Sequence, residues 1–189
     1  VIGDRGDGDD DRGGGVVVWD PLVRIAHWSL ASAVIAVWST GHWFHPLHHA
    51  LGYAAAGIVL LRIVWGVVGA RHARFGDFVR SPSNTRRYAA SLLRGEEPDH
   101  LGHNPLGGWM ILALLSTVAL TSFTGWLYTT DAFWGYGWLE QTHAALAWLL
   151  ATLVAGHLLG VIVMSLRERR NLAWSMVTGR KRWRKSIRA

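Results

Sequence analysis

Four stretches, at 22–44, 47–69, 107–129 and 139–166, hold almost no Asp, Glu or Lys. A helix needs about 20 predominantly apolar residues to cross the hydrocarbon core of a bilayer, so each stretch is long enough to do so. Lipid offers the backbone no hydrogen bonds, and a segment of this kind must satisfy its own amides, as a helix does. The runs lack the strict alternation of a barrel strand. They also lack the charged face that helices of a soluble four-helix core would present. The expected fold is therefore all-α, an integral membrane four-helix bundle.

The formal charge of +6 invites a reading as a nucleic-acid binder, but the basic residues sit where membrane topology puts them. The connector between spans two and three carries Arg71, Arg74, Arg80, Arg86, Arg87 and Arg94. The segment after span four carries Arg167, Arg169, Arg170, Arg180, Lys181, Arg182, Arg184, Lys185 and Arg188, whereas the loops at 42–47 and 130–138 carry no Lys or Arg. Cytoplasmic loops are the ones enriched in Lys and Arg, so both termini and the long connector are expected in the cytoplasm of a bacterial inner membrane. Trp19, Trp43, Trp134 and Trp138 fall near span ends, as an interfacial belt requires.

Residues 1–15, VIGDRGDGDDDRGGG, are too polar and Gly-rich to bury a core and read as a disordered leader, with no signal peptide visible. The transmembrane domain then covers 16–170, followed by a basic cytoplasmic tail at 171–189 that anionic lipid headgroups would hold at the membrane surface. Pro21 after Asp20 suits a helix start, and a short surface helix is expected near 84–94. The chain has no cysteine. That excludes disulfides, thiolate-held iron–sulfur or zinc, and covalent c-type haem.

Ten histidines remain to be explained. His72, His100 and His103 fall in the connector and read as solvated or capping residues. His42, His45, His48 and His49 crowd the first external loop and the start of span two. His27, His143 and His157 lie inside spans, where an ionisable side chain is costly and marks a candidate site. On one helix, His143 and His157 would share a face within roughly 40° and stand roughly 21 Å apart along the axis. Because spans alternate in direction, His27 shares an inner layer with His157, and His48 or His49 shares an outer layer with His143. Two layers of two imidazoles from different helices describe two bis-histidine haem sites stacked across the membrane.

Spacing leans to His48 over His49, since His48 precedes Gly52 by four residues and Arg62 by fourteen. Arg24 lies one turn before His27 and, like Arg62, is a candidate partner for a haem propionate. Gly156, Gly160, Gly52 and Gly57 would admit a haem edge or serve helix packing. Two rival readings compete with haem. One is a histidine-lined metal transporter entered through the external cluster. The other is a membrane anchor whose histidines only bridge helices.

Several separated motifs occur in one order: VWDPLVRIAHW, HHALGY with RIVWG downstream, GHNPLGGWM, the His143 to His157 spacing, and NLAWSMVTGRK. Over roughly residues 17–182 they resemble the prokaryotic cytochrome b family that contains cytochrome b561 and the cytochrome b subunits of nickel-iron hydrogenases. The resemblance implies a diheme b-type cytochrome moving electrons between a quinone, ubiquinone or menaquinone, and a second redox partner. It implies axial ligands at His27, His48, His143 and His157, and none in span three. The short external loops favour a periplasmic cytochrome c, another redox protein or superoxide over a hydrogenase as that partner. The chain would be either a quinone-linked oxidoreductase or the electron-transfer subunit of a larger complex. Quinone is expected on the cytoplasmic side, near Arg24, His103 and Asn104.

Overall fold

The structure is a computed structural model that describes residues 16–17, 20–41, 43–69, 74–95 and 104–181. The leader 1–15, Trp19, His42, His72, His100, His103 and the tail beyond 181 lie outside the described residues. Four long helices dominate: α1 (Pro21–Thr40), α2 (His45–Val68), α5 (Pro105–Tyr128) and α6 (Gly137–Glu168). Between α2 and α5 the connector forms α3 (Phe75–Phe78) and α4 (Pro82–Leu93), and α7 (Leu172–Thr178) follows α6. All four long helices are long and apolar enough to cross a membrane.

Helix boundaries follow local chemistry. Asp20 caps α1, its Oδ1 accepting from the amides of Leu22 at 2.8 Å and Val23 at 3.4 Å, with Pro21 in the first turn. Asn104 does the same for α5, accepting from Gly107 N at 2.6 Å ahead of Pro105. Helix α1 stops four residues short of the end expected from hydropathy. The Thr40 carbonyl accepts from Trp43 N and Phe44 N, turning the chain into α2. At the far end of α6, Arg169 adopts a left-handed conformation with φ 50°, and Arg170 N reaches back to Ser165 O at 3.0 Å.

The bundle has two ends. The hairpin end carries the short α1–α2 and α5–α6 loops, and the terminal end carries the start of α1, the connector and the end of α6. Helix α1 packs on α2, α2 on α5, and α5 on α6. Their shared core is Ala33, Ala55, Val59, Leu115, Val118 and Leu150. Small residues at the α1–α2 contact, Ala33 and Ala55, let backbones approach where lipid supplies no hydrophobic drive between helices. Helix α6 stands apart: of its 32 residues only Leu139 and Leu150 are buried. It reaches α1 through side chains, Trp148 edge-on to Trp38 at 5.1 Å and His157 towards His27.

The connector is bound to the terminal end. Trp109 Nε1 donates to Arg80 O at 3.1 Å, and Arg167 Nη1 donates to Leu92 O at 3.1 Å. The described segments before α1 and after α7 also meet there, in a two-residue antiparallel pairing of β1 (Val16–Val17) with β2 (Arg180–Lys181). Neither that pairing nor α3 and α7 was expected from the sequence. Their cause is tertiary: α3 swings the Phe75 ring back onto α2, where Gly66 makes room for it. A Cβ at Gly66 would lie 2.1 Å from that ring. Gly66→Ala should therefore overpack the contact and cost about 1–3 kcal/mol, seen as a lower Tm of the detergent-solubilised protein by circular dichroism.

Candidate functional site

At the terminal end, His27 of α1 and His157 of α6 face each other with ring centroids 6.4 Å apart and planes tilted by 56°. Trp28 closes on the His27 ring edge-on at 5.1 Å. His27 Nδ1 is buried and has no hydrogen-bond partner among the described residues. Arg24, one turn earlier, donates through Nη2 to Val177 O and so tethers α7, while its buried Nε has no partner among the described residues. Beside His157 the α6 surface is open: among the described residues a Cβ at Gly156 would meet only Met110, at 3.7 Å, and one at Gly160 would meet nothing within 4 Å.

At the hairpin end, His48 of α2 and His143 of α6 stand with centroids 6.2 Å apart and planes at 75°. Here the rings are held from behind. His48 Nδ1 lies 3.0 Å from Val37 O, and His143 Nδ1 lies 3.0 Å from Thr121 O and 3.2 Å from Thr124 Oγ1. A backbone carbonyl only accepts, so each Nδ1 carries the proton and donates it. Each Nε2 therefore keeps its lone pair, the tautomer a metal ligand needs. Room for the His143 ring comes from Gly125, where a Cβ would sit 3.0 Å from His143 Cε1; Gly41 lies similarly behind His48, at 3.5 Å. His45 and His49 are exposed, with the His49 ring 6.2 Å from that of His48. Of the external histidine cluster, His48 alone among the described residues is turned to His143.

Arg62 sits in α2 fourteen residues beyond His48, about four turns toward the terminal end. It is only 8 % exposed, its guanidinium carbon lies 5.0 Å from the Phe75 ring centroid, and its Nη1 has no hydrogen-bond partner among the described residues. A cation–π contact holds its charge where a bare one would be costly.

The donor set fits haem. Two imidazoles bound to one metal ion through bonds of about 2 Å would have centroids about 6 Å apart, close to both observed spacings. Among the described residues no group of three or more His, Cys, Asp or Glu could hold a metal ion. A metal that brings its other ligands with it, as in a porphyrin, needs only the two imidazoles that each pair supplies. The sequence indicated the histidine pairs, Arg24 and Arg62. It did not indicate Val37, Thr121, Thr124 and Gly125 as supports, although TSFTG in an otherwise apolar span carries small and polar residues at helical spacing.

Four membrane-crossing helices with two facing imidazole pairs, on a chain without thiols, define the class of b-type membrane cytochromes. Residues 18–179 match the profile of the prokaryotic cytochrome b561 family, and the chain belongs to that family. It is a multi-pass membrane b-type cytochrome acting in electron transfer, and its cofactor is haem b. The chain is 24% identical over 215 residues to a probable Ni/Fe-hydrogenase B-type cytochrome subunit of Bradyrhizobium diazoefficiens, covering 89% of this chain and 87% of the relative. Proteins of the same description from Rhodobacter capsulatus and Rhizobium leguminosarum bv. viciae are each 24% identical over 214 residues. Both alignments cover 88% of this chain, with 81% and 88% of the respective relatives. No solved structure matches the chain.

The orientation of the rings separates the neighbouring histidines of α2. His48→Ala should lower the haem b content of the purified protein, whereas His49→Ala should leave it at the unaltered level. Gly125→Ala should act like a weak His48→Ala by displacing the His143 ring. Pyridine haemochrome assay of the three variants checks the set.

Proposed function

We propose that His27 with His157 and His48 with His143 are the axial ligands of two haems b, and that the chain carries electrons across the membrane between a quinone and a redox partner at the hairpin end. The observation that carries this reading is the facing of two imidazole pairs at the two ends of one continuous helix, α6. When bound, haem supplies reversible one-electron chemistry at each pair. The protein's part is to fix donors, charge and spacing. Val37 O and Thr121 O set the tautomer of His48 and His143. Fourteen helical residues between His143 and His157 hold the two sites roughly 21 Å apart. Arg24 Nε and Arg62 Nη1, buried polar groups without partners among the described residues, suit the negative propionates of the cofactor.

The distribution of Lys and Arg supports a bacterial inner membrane with both termini in the cytoplasm, so that the hairpin end faces the periplasm. The quinone then binds at the terminal end. Arg24 is there, and Asn104, whose Oδ1 is spent on capping α5, still has its amide NH2 to donate. His103, a third candidate, lies outside the described residues. At the hairpin end the relatives' description as hydrogenase subunits supports a hydrogenase-type donor. A cytochrome c, another redox protein and superoxide are the other partners this short surface suits. The chain works as an electron-transfer subunit of such a complex or as a quinone-linked oxidoreductase by itself.

Adding a short-chain ubiquinone or menaquinone to the dithionite-free, pre-reduced protein under anaerobic conditions should reoxidise it. Arg24→Ala should slow that reoxidation by about tenfold or more, as loss of a charged hydrogen bond of about 1.5–3 kcal/mol does. Reoxidation no faster with quinone than with buffer would remove the quinone from the account.

A further inference from the structure

We infer that Phe75, delivered by the connector, is a positioning residue of the terminal-end site: its ring holds the Arg62 guanidinium level with the His27 and His157 pair, as donor to a haem propionate. The inference rests on the ligand and propionate assignments above and adds the residue that makes a buried arginine usable there.

The level of Arg62 follows from the register of two helices. Both α2 and α6 run from the hairpin end to the terminal end, and His48 on one faces His143 on the other. Arg62 follows His48 by fourteen residues, as His157 follows His143. Fourteen helical residues bring a side chain back to within roughly 40° of its starting face, roughly 21 Å further along. Arg62 therefore stands on the His48 face of α2 at the depth of His157, where α2 supplies no imidazole and α1 supplies His27 instead. A lone guanidinium inside a span is costly. This one is only 8 % exposed, and its Nη1 is buried without a hydrogen-bond partner among the described residues. Asp20 acts on it through charge, but the Asp20 Oδ1 is engaged by the amides of Leu22 and Val23.

What holds the guanidinium is Phe75, whose ring centroid lies 5.0 Å from its central carbon. A ring face stabilises the charge yet supplies no lone pair of the carbonyl kind, so Nη1 keeps its protons for a carboxylate. The ring itself is fixed from several sides. Gly66, one turn beyond Arg62, lacks the Cβ that would lie 2.1 Å from the Phe75 Cε2. Arg74 Nε donates to Gly69 O at 2.8 Å, tying the start of α3 to the end of α2. Val79 N donates back to Phe75 O at 2.9 Å and closes α3, while the ring packs against the shared core of the bundle. An aliphatic side chain of similar bulk would fill the same space, but only an aromatic face also holds a cation. That difference separates positioning from packing.

The test is a potentiometric titration of the holoprotein in detergent, followed by its visible spectrum, with the haem b content of each variant. A positive charge beside a propionate favours an added electron, so Arg62→Gln should lower one midpoint and leave the other in place. Phe75→Leu, which keeps the apolar bulk and loses the aromatic face, should keep two haems and lower the same midpoint by a smaller step. Phe75→Tyr should leave that midpoint at the unaltered value. On the Arg62→Gln background, Phe75→Leu should add no shift. If Phe75→Leu does not fold, Gly66→Ala displaces the ring from its other side and should lower the same midpoint, again only while Arg62 is present. A midpoint indifferent to loss of the ring, an equal shift from Phe75→Tyr, or a shift that persists without Arg62 would overturn the inference and leave Phe75 as packing. Failure of the underlying assignments has a different signature, which would take the inference with it: fewer than two haems in the unaltered chain, or both midpoints unmoved by Arg62→Gln.

Discussion

An imidazole placed inside a membrane has to spend both of its nitrogens, because lipid will not hydrogen-bond either one. His48 and His143 spend Nδ1 on the carbonyls of Val37 and Thr121, and what remains on each ring is a lone pair that meets no donor among the described residues. Much of the architecture serves that condition. Gly125 gives up a side chain so that the His143 ring can approach α5, at the cost of about 1 kcal/mol that a glycine carries in a helix interior. Span three contributes no histidine, yet it supplies the carbonyl, the hydroxyl and the clearance that orient one.

Helix α6 carries one member of each pair and so fixes the distance between them. Because α1 and α2 run in opposite directions, they deliver His27 and His48 to opposite ends of it without any long excursion of the chain. The close backbone packing runs α1 to α2 to α5 to α6, which leaves α6 linked to α1 by aromatic and imidazole rings. A gap bridged by rings suits a planar cofactor better than a sealed seam of leucines would.

The parts of this structure that hydropathy and helical spacing control were legible in the sequence. Four spans, the pairing of His27 with His157 and the pairing of His48 or His49 with His143 follow from the near-absence of Asp, Glu and Lys over about 20 residues and from the alternating direction of the spans. Between His48 and His49 spacing gave only a lean, which the family resemblance strengthened; in the structure the two differ by rotation, since one residue turns the side chain by about 100°. That is enough to send His49 outward to solvent or lipid. What could not be read depends on contacts between distant segments. Phe75 returns from the connector to cover Arg62, and Gly66 leaves the room its ring takes. Gly125 in an apolar run is indistinguishable from a packing glycine until the His143 ring is seen against it. The α7 helix and the β1–β2 pairing arise where the segments flanking the bundle meet, through Arg24 and Val177 among others, and no local period announces such a meeting.

The central claim is that each facing imidazole pair holds one haem b. Its most direct test is the haem b content per polypeptide of the folded, detergent-purified chain by pyridine haemochrome, together with its dithionite-reduced minus oxidised spectrum. The account predicts two low-spin haems b per chain. One haem per chain, or none in protein made with ample haem and shown to be folded, would contradict it.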